Sequence, residues 1–346
     1  LCVLLVLAGI AAAWPSILSE QVAAAAIFLG SYVALAMGKI PGLAIDRAGV
    51  ALVGAGLMVA AGALPLKDAY RAIDLDTITL LLGMMIVVAN LRLSGFFALA
   101  NAWVVARARR PATLLAAVVL VSAVFSAFLV NDAICLVLAP LVADVAKGAR
   151  RDPVPYLLGV ALASNVGSVA TITGNPQNIM IGSLSGIPYT QFAAALVPVA
   201  LAGVGLTFGL LVALYPKEFM GGGRLATTLA EPRVNRVLVG RSLLATMAVV
   251  VLFFAGQPPA KAAIVIGALL LLTRRVRSTR VYAEIDWSLL LMFSGLFIIV
   301  AGAEHALLTG GVRAVAGGLH LDRPWVLVPL TAALSNLVSN VPAVLM

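Results

Sequence analysis

The sequence predicts an all-α integral membrane protein built from two opposed copies of one unit, with re-entrant helical hairpins and one discontinuous helix. Three observations predict this class. The 346 residues are 62% hydrophobic and only 11% charged, with a mean hydropathy of +1.10, whereas an ordinary soluble domain carries about 25% charge. The string Ser126-Ala-Phe-Leu-Val-Asn-Asp-Ala133 reads against Ser335-Asn-Leu-Val-Ser-Asn-Val-Pro342, so that Asn131 and Asn340 are 209 positions apart, each in a polar interruption of an apolar run. Between Ala163 and Asn178, hydroxyls, amides, two glycines and Pro176 interrupt a third apolar run.

One crossing takes about 20 apolar residues. In chain order the candidates are Leu1 to Ala13, Gln21 to Met37, Ala48 to Leu64, Thr77 to about Val105, Tyr156 to Ser183, Tyr189 to Tyr215, Ser242 to Gly256, Ala262 to Thr273 and Trp287 to Ala303. A further stretch, Ala112 to Ala146, runs to 35 residues, longer than one crossing needs, and holds Asn131-Asp132 at its middle. Basic residues flank both of its ends: Arg107, Arg109 and Arg110 before, Lys147, Arg150 and Arg151 after. The positive-inside rule therefore puts both ends in the cytoplasm and reads the stretch as a re-entrant hairpin with Asn131-Asp132 near its tip. Exposed backbone at such a tip is tolerated only where protein or a wet cavity covers it. Carried along the chain from a cytoplasmic N-terminus, this arrangement puts 17 basic residues inside and 5 outside, with Arg92 unassigned at a helix end where it is expected to snorkel.

The same map orients the repeats. Ile73-Asp74 opens a helix containing Gly83, and Ile285-Asp286 opens one containing Gly295, in register at an offset of 212. The first begins outside and the second inside, which makes the repeat inverted; chance similarity between Ala/Leu/Val-rich helices is the alternative. The organisation expected is N-terminal scaffold helices over 1–66, a first repeat over 67–215 with its hairpin at 112–146 and broken helix at 156–183, a cytoplasmic linker over 216–240 with Gly221-Gly222-Gly223, and the start of a second repeat over 241–346. Leu1 is not an initiator methionine and Met346 ends inside an apolar run, so the sequence reads as a fragment, and the repeat partner of the broken helix would fall near position 373.

The chemistry concentrates in Ser164-Asn-Val-Gly-Ser168 and Thr171-Ile-Thr-Gly-Asn-Pro-Gln-Asn178. Pro176 has no amide proton and, with Gly167 and Gly174, opens the helix at membrane depth. An opened turn presents amides at one end and carbonyls at the other, suited to an oxyanion and a cation. Asn and Gln supply donors and acceptors without fixed charge. Four amides (Asn165, Asn175, Gln177, Asn178) in one span are costly without a polar cavity, while Gly167, Ser168 and Thr171 equally suit close helix packing. Asp132 is an intramembrane carboxylate, a candidate proton carrier or sodium ligand. The candidate substrate- and ion-binding residues are Asn131, Asp132, Ser164, Asn165, Gly167, Ser168, Thr171, Thr173, Gly174, Asn175, Asn178, Ser339 and Asn340, with a candidate sodium site at Asn131, Ser164, Asn165 and Gly174. Cys135 shares the face of Asn131, and His305 and His320 are expected in a solvated outer loop.

Several classes are excluded. Cys2 and Cys135 cannot form a disulfide framework or a four-ligand zinc site. The net charge of +9 sits in short clusters between apolar runs, a topology signal rather than a nucleic-acid surface. Gly221–Gly223 lacks the ending of a phosphate-binding loop, and no nucleophile or nucleotide motif points to an enzyme; no cofactor beyond a sodium ion is expected.

The phrase Ser164-Asn-x-Gly-Ser…Thr-x-Thr-Gly-Asn-Pro-Gln-Asn178, after a hairpin with Asn131-Asp132 and before one with Ser339-Asn340-Val-Pro342, resembles the ion transporter superfamily. Within it the chain is most similar to arsenite permease and NhaD-type anion permeases, relatives of the divalent anion/sodium symporters. That resemblance implies a secondary transporter in the bacterial inner membrane, a homodimer with scaffold and transport domains, moving a small inorganic or organic oxyacid with proton or sodium coupling. It also implies that Ser164 and Asn165 help bind substrate and cation; where the symporters carry a third hydroxyl this chain has Val166, a departure that argues against a dicarboxylate. Arsenite, a neutral trihydroxide, suits a cavity of amides and hydroxyls; sodium/proton antiport, or sodium-coupled dicarboxylate or sulfate symport, is the alternative.

Overall fold

A computed structural model describes residues 20–38, 44–219, 234–272, 276–307, 323–338 and 340–345. They form α1 (Glu20–Met37), α2 (Arg47–Ala60), α3 (Leu66–Ala72), α4 (Leu75–Ser94), α5 (Phe96–Arg107), α6 (Pro111–Phe128), α7 (Asn131–Gly148), α8 (Pro153–Ser168), a 3₁₀ turn at Ile172–Gly174, α9 (Pro176–Ser185), α10 (Tyr189–Leu214), α11 (Pro216–Phe219), α12 (Arg236–Phe254), α13 (Pro259–Leu271), α14 (Ser278–Ala283), α15 (Trp287–Leu307), α16 (Pro324–Val338) and α17 (Asn340–Leu345). No strand occurs among the described residues, and α1, α4, α6, α10, α12 and α15 are long and apolar enough to cross a membrane. The protein is an all-α integral membrane protein. Cys2, His320, Ser339, Gly221–Gly223 and the expected first span lie outside the described residues.

Three expected spans differ. Thr77 to Val105 is not one helix: Gly95, at φ +83, takes the left-handed conformation that ends α4 and lets α5 start. α2 and α13 are only 14 and 13 residues, about 20 Å at 1.5 Å per residue, short of a full crossing. Each is followed by a stub helix, α3 or α14.

Contacts divide the chain into two compact units, residues 1–78 with 286–346, and residues 79–285. In the first, α2 and α15 pack closely. A Cβ on Gly295 would come within 2.6 Å of the Ala51 carbonyl carbon, Gly54 faces Ile299 and Gly302 faces Met58. Positions rise together along both helices, so the two run parallel. Asp46 and Asp286 cap them, accepting from Gly49 N (2.8 Å) and Leu289 N (3.0 Å). The Tyr32 hydroxyl donates to Pro342 O at 3.3 Å, tying α1 to α17. His305 is not in a loop: it rides the last turn of α15, with Nδ1 3.2 Å from Ala63 O.

The second unit repeats the glycine contact. A Cβ on Gly83 of α4 would lie 2.5 Å from the Ala263 carbonyl carbon of α13, and Gly267 faces Gly83 and Ile86. Both 295 − 83 and 263 − 51 are 212, so one contact is made twice with its partners exchanged. Here too the helices run parallel. At the end of α4, Arg92 is not simply snorkelling but pairs with Glu284 at 2.6 Å.

α6 and α7 are joined by two extended residues, Leu129 and Val130. α6 runs alongside α8, since Leu115 meets Gly159 and Ala123 meets Gly167. α7 returns the chain to the start of α8 through residues 149–152. The pair is therefore a helical hairpin laid on α8, with its tip beside the end of α8.

Candidate functional site

The tip of that hairpin meets the interruption after α8. α8 stops at Ser168; Thr171 and Asn175 are extended, and α9 restarts with Pro176 in its first position. Proline costs nothing there, because the first helical N–H has no intrahelical acceptor. The chain folds back over the end of α8 so closely that a Cβ on Gly174 would run into the Ser168 carbonyl oxygen, and one on Gly167 into the backbone of Ala123. These two glycines are required by close approach.

A helix end leaves carbonyls without partners, and the interruption supplies them. Asn178 Nδ2 donates to Ser168 O (3.1 Å) and Thr171 O (2.9 Å), with a longer contact to Val169 O (3.4 Å). Asn175 Oδ1 accepts from Asn178 N at 2.8 Å, and its Nδ2 donates to Ser168 Oγ at 3.0 Å. Ser168 Oγ donates in turn to Asn165 O at 2.7 Å. Thr171 Oγ1 donates to Ala127 O at the end of α6. Thr173 exchanges a hydrogen bond with the Tyr189 hydroxyl at 2.9 Å, and the Tyr189 ring packs tilted against Phe253 and edge-to-face with Phe254 of α12, centroids 5.2 and 5.1 Å away. Asn175, Asn178, Ser168, Thr171 and Thr173 are all buried, and their hydrogen bonds go into holding the interruption open.

Among the described residues, other polar groups around the tip stay unpaired or exposed. Asn131 Nδ2 donates to Asn165 Oδ1 at 3.1 Å, and Asn165 is exposed. Asn131 itself is 7% exposed, and its Oδ1 has no hydrogen-bond partner among the described residues. Gln177 Oε1, in the first turn of α9, is a second buried acceptor without one. Ser164 is buried, in contact with Cys135 Sγ through its hydroxyl and accepting from Ser126 Oγ on its carbonyl at 2.7 Å. Asp132 is exposed in the first turn of α7, whose N-terminus has no side-chain cap. Asn340 belongs to the other unit, is exposed, and its Oδ1 accepts the Ser335 hydroxyl. Like Asn131, it is the first residue of its helix.

The structure places Asn131, Ser164, Asn165, Gly167, Ser168, Thr171, Thr173, Gly174, Asn175 and Asn178 around one interruption. Ser126 and Tyr189 join them although the sequence did not single them out as candidates, and so does Gln177, which was expected only as a costly amide. Ser126 could have been found from its place at the head of the repeated string; Tyr189 had no local signal, because its role rests on a contact made in three dimensions. Chemically, the site offers amide acceptors without donors, with no lysine, arginine or histidine in the hydrogen-bonded web described above. No cluster of metal-ligating side chains occurs among the described residues.

A family model described as a citrate transporter matches residues 32–346. An uncharacterised transporter of Mycobacterium tuberculosis is 30% identical over 94% of this chain and 78% of its own length. The silicon efflux transporter LSI3 of Oryza sativa subsp. japonica is 28% identical over 89% of this chain and 76% of its own. The inner membrane protein YbiR of Escherichia coli is 32% identical over 85% and 76%.

Proposed function

Because this chain belongs to the citrate transporter family, and so to membrane transporters of the anion-permease type, we propose that it moves a small undissociated oxyacid, arsenite or antimonite in class. The observation that carries this reading is the pair of buried acceptors, Asn131 Oδ1 and Gln177 Oε1, without donors among the described residues. A buried acceptor left unpaired costs about 1–3 kcal/mol, so the ligand that relieves it is one that donates hydrogen bonds. A neutral hydroxide does; a carboxylate anion does not. The rice relative is named for silicon efflux, and silicic acid is likewise a neutral hydroxide in water.

A second reading, a citrate-like carboxylate, is favoured by the family description and by the uncapped N-terminus of α7. A helix terminus supplies only roughly half a positive charge, too little to balance a trianion. The neutral hydroxide is therefore preferred.

Coupling to protons or sodium is assigned to Asp132, the ionisable group of the tip. Two copies of one unit suit alternating access, and the Gly83–Ala263 and Gly295–Ala51 contacts, repeated at the same offset of 212, support reading the chain that way. The charge bias favours a cytoplasmic N-terminus in the bacterial inner membrane. The test is efflux in everted vesicles: Asn131→Ala and Asn165→Ala abolish arsenite flux, and Asp132→Asn abolishes its dependence on the ion gradient. Wild-type flux in all three variants would dismiss the site.

A further inference from the structure

A groove of about 330 Å³ lies away from the interruption, between the end of α4 and helices α12 and α13, lined among others by Asn90, Arg241, Leu244, Ala248, Ile266 and Leu269. On α12 its residues Leu238, Arg241, Leu244, Ala245 and Ala248 follow helical spacing along one face. Arg241 sits five residues past the start of α12, about 7–8 Å down the helix, and everything deeper on that face is apolar. The polarity therefore runs from a cation near the helix end to a hydrocarbon floor, the same order as headgroup and acyl chain in a phospholipid.

Three further facts agree. Arg241 is exposed and has no carboxylate partner among the described residues. Leu244 and Leu272, on the walls, are 72% and 79% exposed, an apolar surface that only lipid or protein can cover. Asn90 is 1% exposed and its Oδ1 lacks a donor among the described residues, an acceptor that a headgroup hydroxyl can satisfy. Arg236 opens α12, little more than one turn before Arg241.

We infer that this groove binds one anionic glycerophospholipid, its phosphate on Arg241 and an acyl chain along Leu244, Ala248 and Ile266. Charge complementarity selects this occupant: a zwitterionic lipid brings no net charge to the guanidinium, and basic pockets between membrane helices recognise anionic headgroups. The site is independent of the transported solute.

The test is native mass spectrometry of the purified full chain in detergent, titrated with phosphatidylglycerol or phosphatidylcholine of matched acyl chains. Wild type is expected to bind phosphatidylglycerol about tenfold more tightly. Arg241→Gln brings that affinity down to the phosphatidylcholine level, while Lys261→Gln, which removes an equal charge elsewhere, leaves it unchanged. Ala248→Trp, which fills the floor, weakens both lipids. Equal binding of the two lipids by wild type, or retention of the preference in Arg241→Gln, overturns the proposal. A change of oligomeric mass in Arg241→Gln without a change in lipid adducts would mark the groove as a contact between copies of the chain and overturn it as well.

Discussion

Replacing Asn178 with leucine separates a brace from a ligand. Asn178 is buried, and its amide nitrogen donates to Ser168 O at 3.1 Å and Thr171 O at 2.9 Å, with Val169 O at 3.4 Å. Leucine has similar size and no donor, so at least two buried carbonyls lose their partners. At about 1–3 kcal/mol for each group left unsatisfied, and with some relaxation of the loop, the cost is about 2–4 kcal/mol. Large domains lose about 2–4 °C in Tm per kcal/mol, which gives a drop on the order of 10 °C. Asn165→Leu is the contrast: Asn165 is exposed and its side chain accepts from Asn131, a bond that water can replace, so Tm changes little while flux is lost. The assay is thermal unfolding in detergent with and without arsenite, beside vesicle flux. A wild-type Tm in Asn178→Leu together with loss of arsenite-induced stabilisation would show the opposite, that Asn178 acts on the ligand and not on the fold.

Gly174→Ala forces a Cβ onto the Ser168 carbonyl and is expected to cost about 1–3 kcal/mol or more, as overpacked interiors do, seen as a lower Tm and reduced yield. Gly83→Val and Gly295→Val meet backbone at 2.5 and 2.6 Å and should destabilise alike, whereas Gly56→Val, with nothing within 4 Å, should not; unequal losses at the first two would count against their equivalence. Tyr189→Phe removes the hydroxyl shared with Thr173 but keeps the ring against Phe253 and Phe254; a loss of about 1 kcal/mol in stability is expected, measured by denaturant or heat. Arg92→Gln breaks a pair that is half exposed on the arginine side, so a change below about 1 kcal/mol is expected.

Which parts were legible in the sequence follows from what kind of force sets them. The hairpin tip could be read because Asn131-Asp132 inside an apolar run has an unambiguous cost in lipid, and the interruption because Pro176 and Gly174 cannot continue a helix there. Asp74 and Asp286 announced helix starts through local capping, and both helices begin at the next residue. The split at Gly95 was missed because a lone glycine among apolar residues is compatible with an unbroken span; only its positive φ marks it. Hardest to read was the division of labour among the amides. Asn165, Asn175 and Asn178 look alike in sequence, yet two of them are consumed by the carbonyls of Ser168 and Thr171, by the Ser168 hydroxyl and by a helix cap, while the third remains open. That difference depends on where α9 is placed over the end of α8, which no local pattern encodes. Arg92 posed the same problem, since Glu284 lies 192 positions away.

The acceptors Asn131 Oδ1 and Gln177 Oε1, unpaired among the described residues, call for a ligand that donates hydrogen bonds and carries no charge. Exchange in proteoliposomes holding the purified chain, with arsenite, silicic acid, citrate and sulfate offered separately, tests this most directly. Arsenite is expected to exchange, with silicic acid the next best, reduced to background by Asn131→Ala, while citrate and sulfate do not exchange. Saturable citrate exchange without arsenite exchange would contradict it.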